Sequence, residues 1–269
     1  MDERIVKDTE LNKRQEEWLR KKPKDVTPKQ KFFYERIVTP FLRSFFHFLR
    51  HLPFYRILYY REINGKMTYS LSRSRHDNSQ RLYGREIRDL ATDQGGRKRG
   101  IMAYSNHITE LDTAIEPYII DQLDLGFCYK VTKIEYFKRR LPAWIMWAVG
   151  CRPIVRSTGQ GFRNTMRLAQ DKETLLMYPQ GTRAKKHEKK IPFHEGAADL
   201  AAKYDMVLAP FFINRVKGFI FSYYEVYCGP PVISSNLFPH ISDKDKRKAA
   251  ITRFMASEIS VPVKKGEGK

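Results

Sequence analysis

From Gly100 onward, short apolar runs alternate with longer amphipathic stretches, and this alternation predicts a single α/β domain. The runs at 100–105, 125–131, 152–156, 174–178, 206–213 and 220–227 have the length of buried strands. Helical patterns fill much of the space between them, notably at 110–122, 134–148, 160–170 and 194–203, and Asp243 is placed to open a last helix reaching about Ile259. The expected architecture is a central sheet, mostly parallel or mixed, flanked by helices. No internal repeat interrupts it.

Upstream the pattern is different. At Thr27-Pro28-Lys29-Gln30 a Thr cap, a proline at the first helical position and a glutamine three residues after the cap together predict a helix start. Thr39-Pro40 repeats the cap-then-proline pattern, which predicts a kink or a second helix ending before Pro53. This second segment carries Phe41, Phe45, Phe46 and Phe48 with Arg43 and Arg50 between them, and Tyr55, Tyr59 and Tyr60 follow. Two readings stay open: an interfacial anchor whose basic groups meet lipid phosphates, or a core helix packed on the main domain. Residues 61–99 are polar and weakly periodic and read as loops around a strand or a short helix. The organisation expected is therefore a charged arm over 1–26, read as a solvated helix or mobile arm, a helical membrane-docking motif over 27–60, and an α/β domain over 61–269.

Charge narrows the class of partner. Fifty Lys and Arg against 30 Asp and Glu leave a formal +20, which predicts attraction to phosphate groups without saying which. The three cysteines, Cys128, Cys151 and Cys228, lack metal-ligand or CxxC spacing, so neither a disulfide framework nor a metal site is expected, and a reducing, cytosol-facing location fits best. Residues 1–31 lack the apolar core of a secretion signal, and no run is long and apolar enough for a conventional transmembrane helix.

Candidate chemistry begins at Ala103-Tyr-Ser-Asn-His-Ile-Thr-Glu-Leu-Asp112. His107 follows a strand and Asp112 lies near the start of the next helix, which sets the imidazole at a strand's C-terminal end, where open α/β sheets keep their sites. A hydroxyl acting as a nucleophile needs a base that titrates near neutrality and a carboxylate to orient it, and this pair supplies both. The spacing alone also fits a capping box, Thr109-x-x-Asp112, beside an ordinary loop histidine. A second element, Tyr178-Pro-Gln-Gly-Thr-Arg183, offers a glycine where a ligand can approach the backbone, a hydroxyl, and a guanidinium able to grip phosphate in a bidentate manner; in isolation it is also a plain turn. Arg156 emerges from another strand end and could supply a second positive charge. The run Lys185, Lys186, Lys189 and Lys190 reads as a soluble face, and the His194-Glu195 pair has no spacing that compels a metal or a second base.

Four blocks taken together resemble the glycerolipid acyltransferase family, and in the family's order. Asn106-His107-x-x-x-x-Asp112 matches its catalytic His/Asp pattern. Arg152-Pro-Ile-Val-Arg156 resembles the strand whose closing arginine helps hold the acceptor's phosphate. Tyr178-Pro-Gln-Gly-Thr-Arg183 resembles the acceptor-binding loop, and Val207-Leu-Ala-Pro210 the closing hydrophobic strand. Lys133-Ile-Glu135, followed by Pro142 and Trp144, resembles the linker between the first two blocks. The resemblance implies an acyltransferase with His107 and Asp112 catalytic, with Arg156, Gly181, Thr182, Arg183 and Lys133 binding the phosphate, and with Gln180 in the acceptor loop where the family carries glutamate. It implies no metal and no cofactor, acyl-CoA or an acyl carrier protein as co-substrate, and a lysophospholipid acceptor, most directly lysophosphatidic acid. The partner expected is an anionic membrane surface on the cytoplasmic face. The rival classes are a non-catalytic lipid-binding relative and a nucleic-acid-binding protein; the dispersed basic residues, with no reading motif among them, count against the second.

Overall fold

The computed structural model describes residues 11–41, 44, 55–63, 66–71, 78–92, 95–107, 119–121, 123–155, 158–181, 193–216 and 223–260. Among the described residues, nine strands form one mixed sheet: β1 (Tyr55–Ile63), β2 (Lys66–Leu71), β3 (Ile101–Ser105), β4 (Cys128–Lys133), β5 (Cys151–Ile154), β6 (Thr174–Met177), β7 (Val207–Val216), β8 (Tyr223–Cys228) and β9 (Val232–Ile233). Their order is β2-β1-β8-β7-β3-β6-β4-β5, with β9 added to β7. β3, β4, β5, β6 and β7 run parallel, whereas β8 and β9 pair antiparallel with β7, and β2 with β1.

The alternation of side chains along β3 divides the core. Ile101 and Ala103 face a cluster that includes Tyr83, Ile87 and Ala91 of α3 (Asn78–Ala91) and Ile119, Ile120 and Leu123. Met102 and Tyr104 face the other side, against α5 (Phe162–Gln170), α6 (Gly196–Tyr204) and α7 (Lys244–Ser260). Because both faces of these strands are covered, they read as unbroken apolar runs.

The N-terminal part departs from expectation. Residues of the charged arm form α1 (Lys13–Arg20), closed by a reciprocal capping box in which the Asn12 carboxamide accepts from the Gln15 amide and the Gln15 side chain accepts from the Asn12 amide. Far from being solvated, α1 buries Trp18 and Leu19 in a third cluster with Ile134, Phe137 and Trp147, the last on α4 (Arg140–Ala148). The charged residues lie on its outer side, which is why composition alone suggested solvent. Thr27 and Gln30 do form the expected capping box, and α2 (Pro28–Phe33) starts there. At Pro40 the helix does not break. A π turn over Tyr34–Val38 widens it first, with the Thr39 amide reaching back to the Tyr34 carbonyl, and helix resumes through Phe41. The wider turn accommodates a proline that lacks an N–H and whose ring would crowd the preceding turn.

The stretch expected as loops around a strand or a short helix holds the end of β1, all of β2 and the fourteen-residue α3. The boundary drawn at residue 60 falls inside β1, which pairs with β8, and Tyr59 is buried with its ring 5.6 Å from that of Tyr83. The last residues of the expected docking motif are therefore sheet. Residues 42–43 and 45–54, the most aromatic part of that motif, lie outside the described residues.

Candidate active site

β3 and β6 are adjacent and parallel, so the segments that leave their C-terminal ends emerge on one rim of the sheet. The register pairs Tyr104 with Met177, which sets residue 107 level with residue 180. The side chains complete what the register begins. The His107 main-chain N–H donates to Gln180 Oε1 at 3.0 Å, and the imidazole stacks on the Tyr178 ring, with centroids 4.3 Å apart and planes 18° from parallel. His107 is half-buried, as are Tyr178, Gln180 and Gly181. The arrangement fixes both the backbone and one ring face of the histidine.

Asn106 holds the turn from the other side. Its carboxamide donates to the Ile213 carbonyl at 2.8 Å and accepts from the Ile213 amide at 2.7 Å, so it prolongs the β3–β7 ladder after the chain has begun to leave the sheet. Asn106 is buried, and its two bonds to one residue leave it little rotational freedom.

The turn after β6 is equally determined. The Gly181 amide donates to the Tyr178 carbonyl at 2.8 Å, and Gly181 has φ +64°, a left-handed conformation that favours glycine. A β-carbon at this position would lie 2.8 Å from His194 Cδ2 and 3.1 Å from its Nε2. The His194 amide donates to the Pro179 carbonyl, also at 2.8 Å. Two histidines from distant parts of the chain thus border one four-residue turn.

Of the residues expected from the sequence, the fold brings together His107, Gln180 and Gly181. Lys133 ends β4 on the same rim and is exposed; two inter-strand spacings, about 10 Å, separate its strand from β3. Asp112, Arg156, Thr182 and Arg183 lie outside the described residues. Arg152, four residues before Arg156, points into the interior. It is 1% exposed, 4.0 Å from the Trp147 ring and 4.9 Å from the Tyr129 ring, and it donates to the carbonyls of Pro23, Trp147 and Cys151. Burial pushes its guanidinium down to about 10, so it remains charged at neutral pH. Among the described residues no cluster of three His, Cys, Asp or Glu side chains is arranged to hold a metal ion.

The Acyltransferase family model matches residues 86–214, from within α3 to within β7, and so encloses the whole of this rim. Over this stretch, a little under half of the chain, the protein is similar to that family. No individual curated protein matches the chain. The acyltransferase domain is thus the part of the chain in which His107, the 178–181 turn and His194 meet.

Three features of the domain were not foreseen from sequence. In the sequence Asn106 is one letter of a motif; in the fold its carboxamide ties the turn before His107 to β7. Tyr178 was the first letter of a loop, and it supplies the ring on which His107 rests. His194 carried no signal in its spacing; the hint available was Gly181, since a glycine without a side chain leaves room for something.

Proposed function

We propose that the acyltransferase domain moves a fatty acyl group from a thioester, acyl-CoA or an acyl carrier protein, to a hydroxyl of a phosphate-bearing lipid, with lysophosphatidic acid as acceptor and phosphatidic acid as product. The observation that carries this reading is a histidine set at the C-terminal end of β3 by Asn106, Gln180 and Tyr178, within the stretch that matches the family. In the proposed step, His107 takes the proton from the acceptor hydroxyl as its oxygen attacks the thioester carbonyl. The tetrahedral intermediate then collapses, the carbon–sulfur bond breaks, and the imidazolium returns the proton to the departing thiol. Asp112 orients the imidazole and balances its charge. Arg156, Thr182, Arg183 and Lys133, with the main chain at Gly181, hold the acceptor phosphate. No cofactor takes part.

Gln180 suits this scheme although the family carries glutamate there. What the position supplies in this chain is an oxygen that accepts from the His107 amide, and either side chain has one. The acceptor is a membrane lipid, and α2 with the turn that follows it supports docking on an anionic bilayer. The π turn adds one residue, so Phe32, Ile37 and Phe41 fall along one side, and all three are exposed, as are Lys29, Lys31 and Arg36. Among the described residues no helix is long and apolar enough to cross a membrane. The proposed location is thus the cytoplasmic face of a membrane, where the donor thioesters are made.

The direct test is thiol release from acyl-CoA in the presence of lysophosphatidic acid, with the lipid product identified by mass. His107→Ala should lose roughly 10²- to 10⁴-fold in turnover while unfolding like the wild type, the worth of a positioned general base. Wild-type turnover in that variant would refute the mechanism, and lysolipid binding without thiol release in the wild type would point to a non-catalytic relative. Docking is tested separately: Ile37→Glu with Phe41→Glu should shift the protein from sedimenting anionic vesicles to the supernatant. Undiminished co-sedimentation would show that this stripe does not meet lipid.

A further inference from the structure

The chain between β6 and α6 returns to the rim at His194, and nothing in the acyl-transfer scheme uses this residue. Its ring is exposed, and its edge from Cδ2 to Nε2 faces Gly181 closely enough that a β-carbon there would clash. Its backbone is fixed to the same turn by the bond from its amide to Pro179. The turn itself is joined to His107 through Gln180. His194 is therefore a polar, solvent-accessible hydrogen-bond donor held beside the backbone of the acceptor loop, next to the one residue of that loop that has no side chain.

We propose that His194 binds the phosphate of the acyl acceptor, an imidazole N–H donating to a phosphate oxygen that approaches over Gly181. This deepens the acyl-transfer reading and rests on it for the identity of the ligand. The local field favours an anion. Two residues later α6 begins, nine residues long and without a side-chain cap at its N-terminus, so its first amides point their positive end toward the same region. Of the two carboxylates at this end of α6, Glu195 is engaged at 3.1 Å by Lys248 of α7, which is shared with Asp245 at 3.1 Å, while Asp199 is exposed in the first turn and is screened by solvent. His194 is on this account a specificity residue: it selects acceptors that carry a phosphate and takes no part in the proton transfer at His107.

The experiment compares wild type, His194→Phe and His194→Gln, each as the full chain. Phenylalanine keeps a flat ring against Gly181 and removes the donor; glutamine restores an N–H. Binding of a short-chain, water-soluble lysophosphatidate is measured by calorimetry. In parallel, kcat/KM is measured with that acceptor and with the monoacylglycerol of the same chain length. A hydrogen bond to a charged group predicts that His194→Phe weakens lysophosphatidate binding about tenfold or more, and reduces the preference for the phosphate-bearing acceptor by a similar factor. His194→Gln should recover most of both. Unchanged lysophosphatidate affinity in His194→Phe overturns the proposal, as does an equal loss with both acceptors, which would make the ring a wall and nothing more. A wild type that does not bind lysophosphatidate also overturns it. His194-dependent binding without any acyl transfer would instead sink the enzymatic reading and leave the phosphate site standing.

Discussion

At the end of β3 the Asn106 carboxamide stands in for a main-chain peptide, giving and receiving one bond each with Ile213. Truncating it leaves a buried amide and a buried carbonyl on β7 without partners, each worth about 1–3 kcal/mol. Asn106→Ala should therefore lower unfolding stability by about 2–4 kcal/mol in urea titrations and also reduce turnover, because the residue that follows is His107. Asn106→Asp keeps the acceptor for the Ile213 amide and loses the donor, so it should fall between the two. If Asn106→Ala matched the wild type in both measurements, the position of His107 would have to come from Gln180 and Tyr178 alone. Gln180 shows the same economy, since the atom that matters is an oxygen aimed at the His107 amide, and charge at this position is a separate variable.

At the scale of elements, the strands from β3 to β8 and the helices at 140–148, 162–170 and 196–204 were legible because each is an apolar run or a one-sided stripe, whereas most of the helix expected over 110–122 lies outside the described residues. The observed strands Ile101–Ser105, Thr174–Met177 and Val207–Val216 lie close to the runs read from sequence. β1 was hidden by its aromatics. Tyr55, Tyr59 and Tyr60 follow a Phe-rich stretch and were read with it, although Tyr55, Ile57 and Tyr59 already alternate with the period of a strand. The docking of α1 and α3 on the core was hidden for the opposite reason: charge dominates their composition, and the few apolar residues that dock them, Trp18 and Leu19 in one, Tyr83 and Ile87 in the other, are outnumbered. In the site, the motif residues of the turn after β6 were legible as a family pattern. The stack on Tyr178 and the approach of His194 were not, because both depend on how residues distant in sequence share a rim.

Across the whole molecule, Arg152 joins the arm to the sheet. Its guanidinium lies between the Trp147 and Tyr129 rings and donates to Pro23, while Trp147 Nε1 donates to the Asp25 carbonyl and Asn164 Nδ2 to those of Leu19 and Lys21. No carboxylate pairs with it among the described residues, so its stability comes from ring faces and carbonyls. Arg152→Ala should cost about 3 kcal/mol in urea unfolding followed by tryptophan fluorescence, since it removes the stacking and leaves buried carbonyls unpaired. Arg152→Lys should cost less but remain well below wild type, because an ammonium cannot spread over a ring or reach three carbonyls in one plane. A wild-type midpoint for Arg152→Ala would mean that the arm rests on the domain without being fastened to it.

The family match begins at residue 86, yet the wall of the domain beneath β5 is completed by residues 12–25. Anyone trimming this protein to the matched portion would strip the cover from Trp147 and expose the Arg152 cation to water. The shortest fragment fit for crystallisation or assay therefore starts ahead of Asn12.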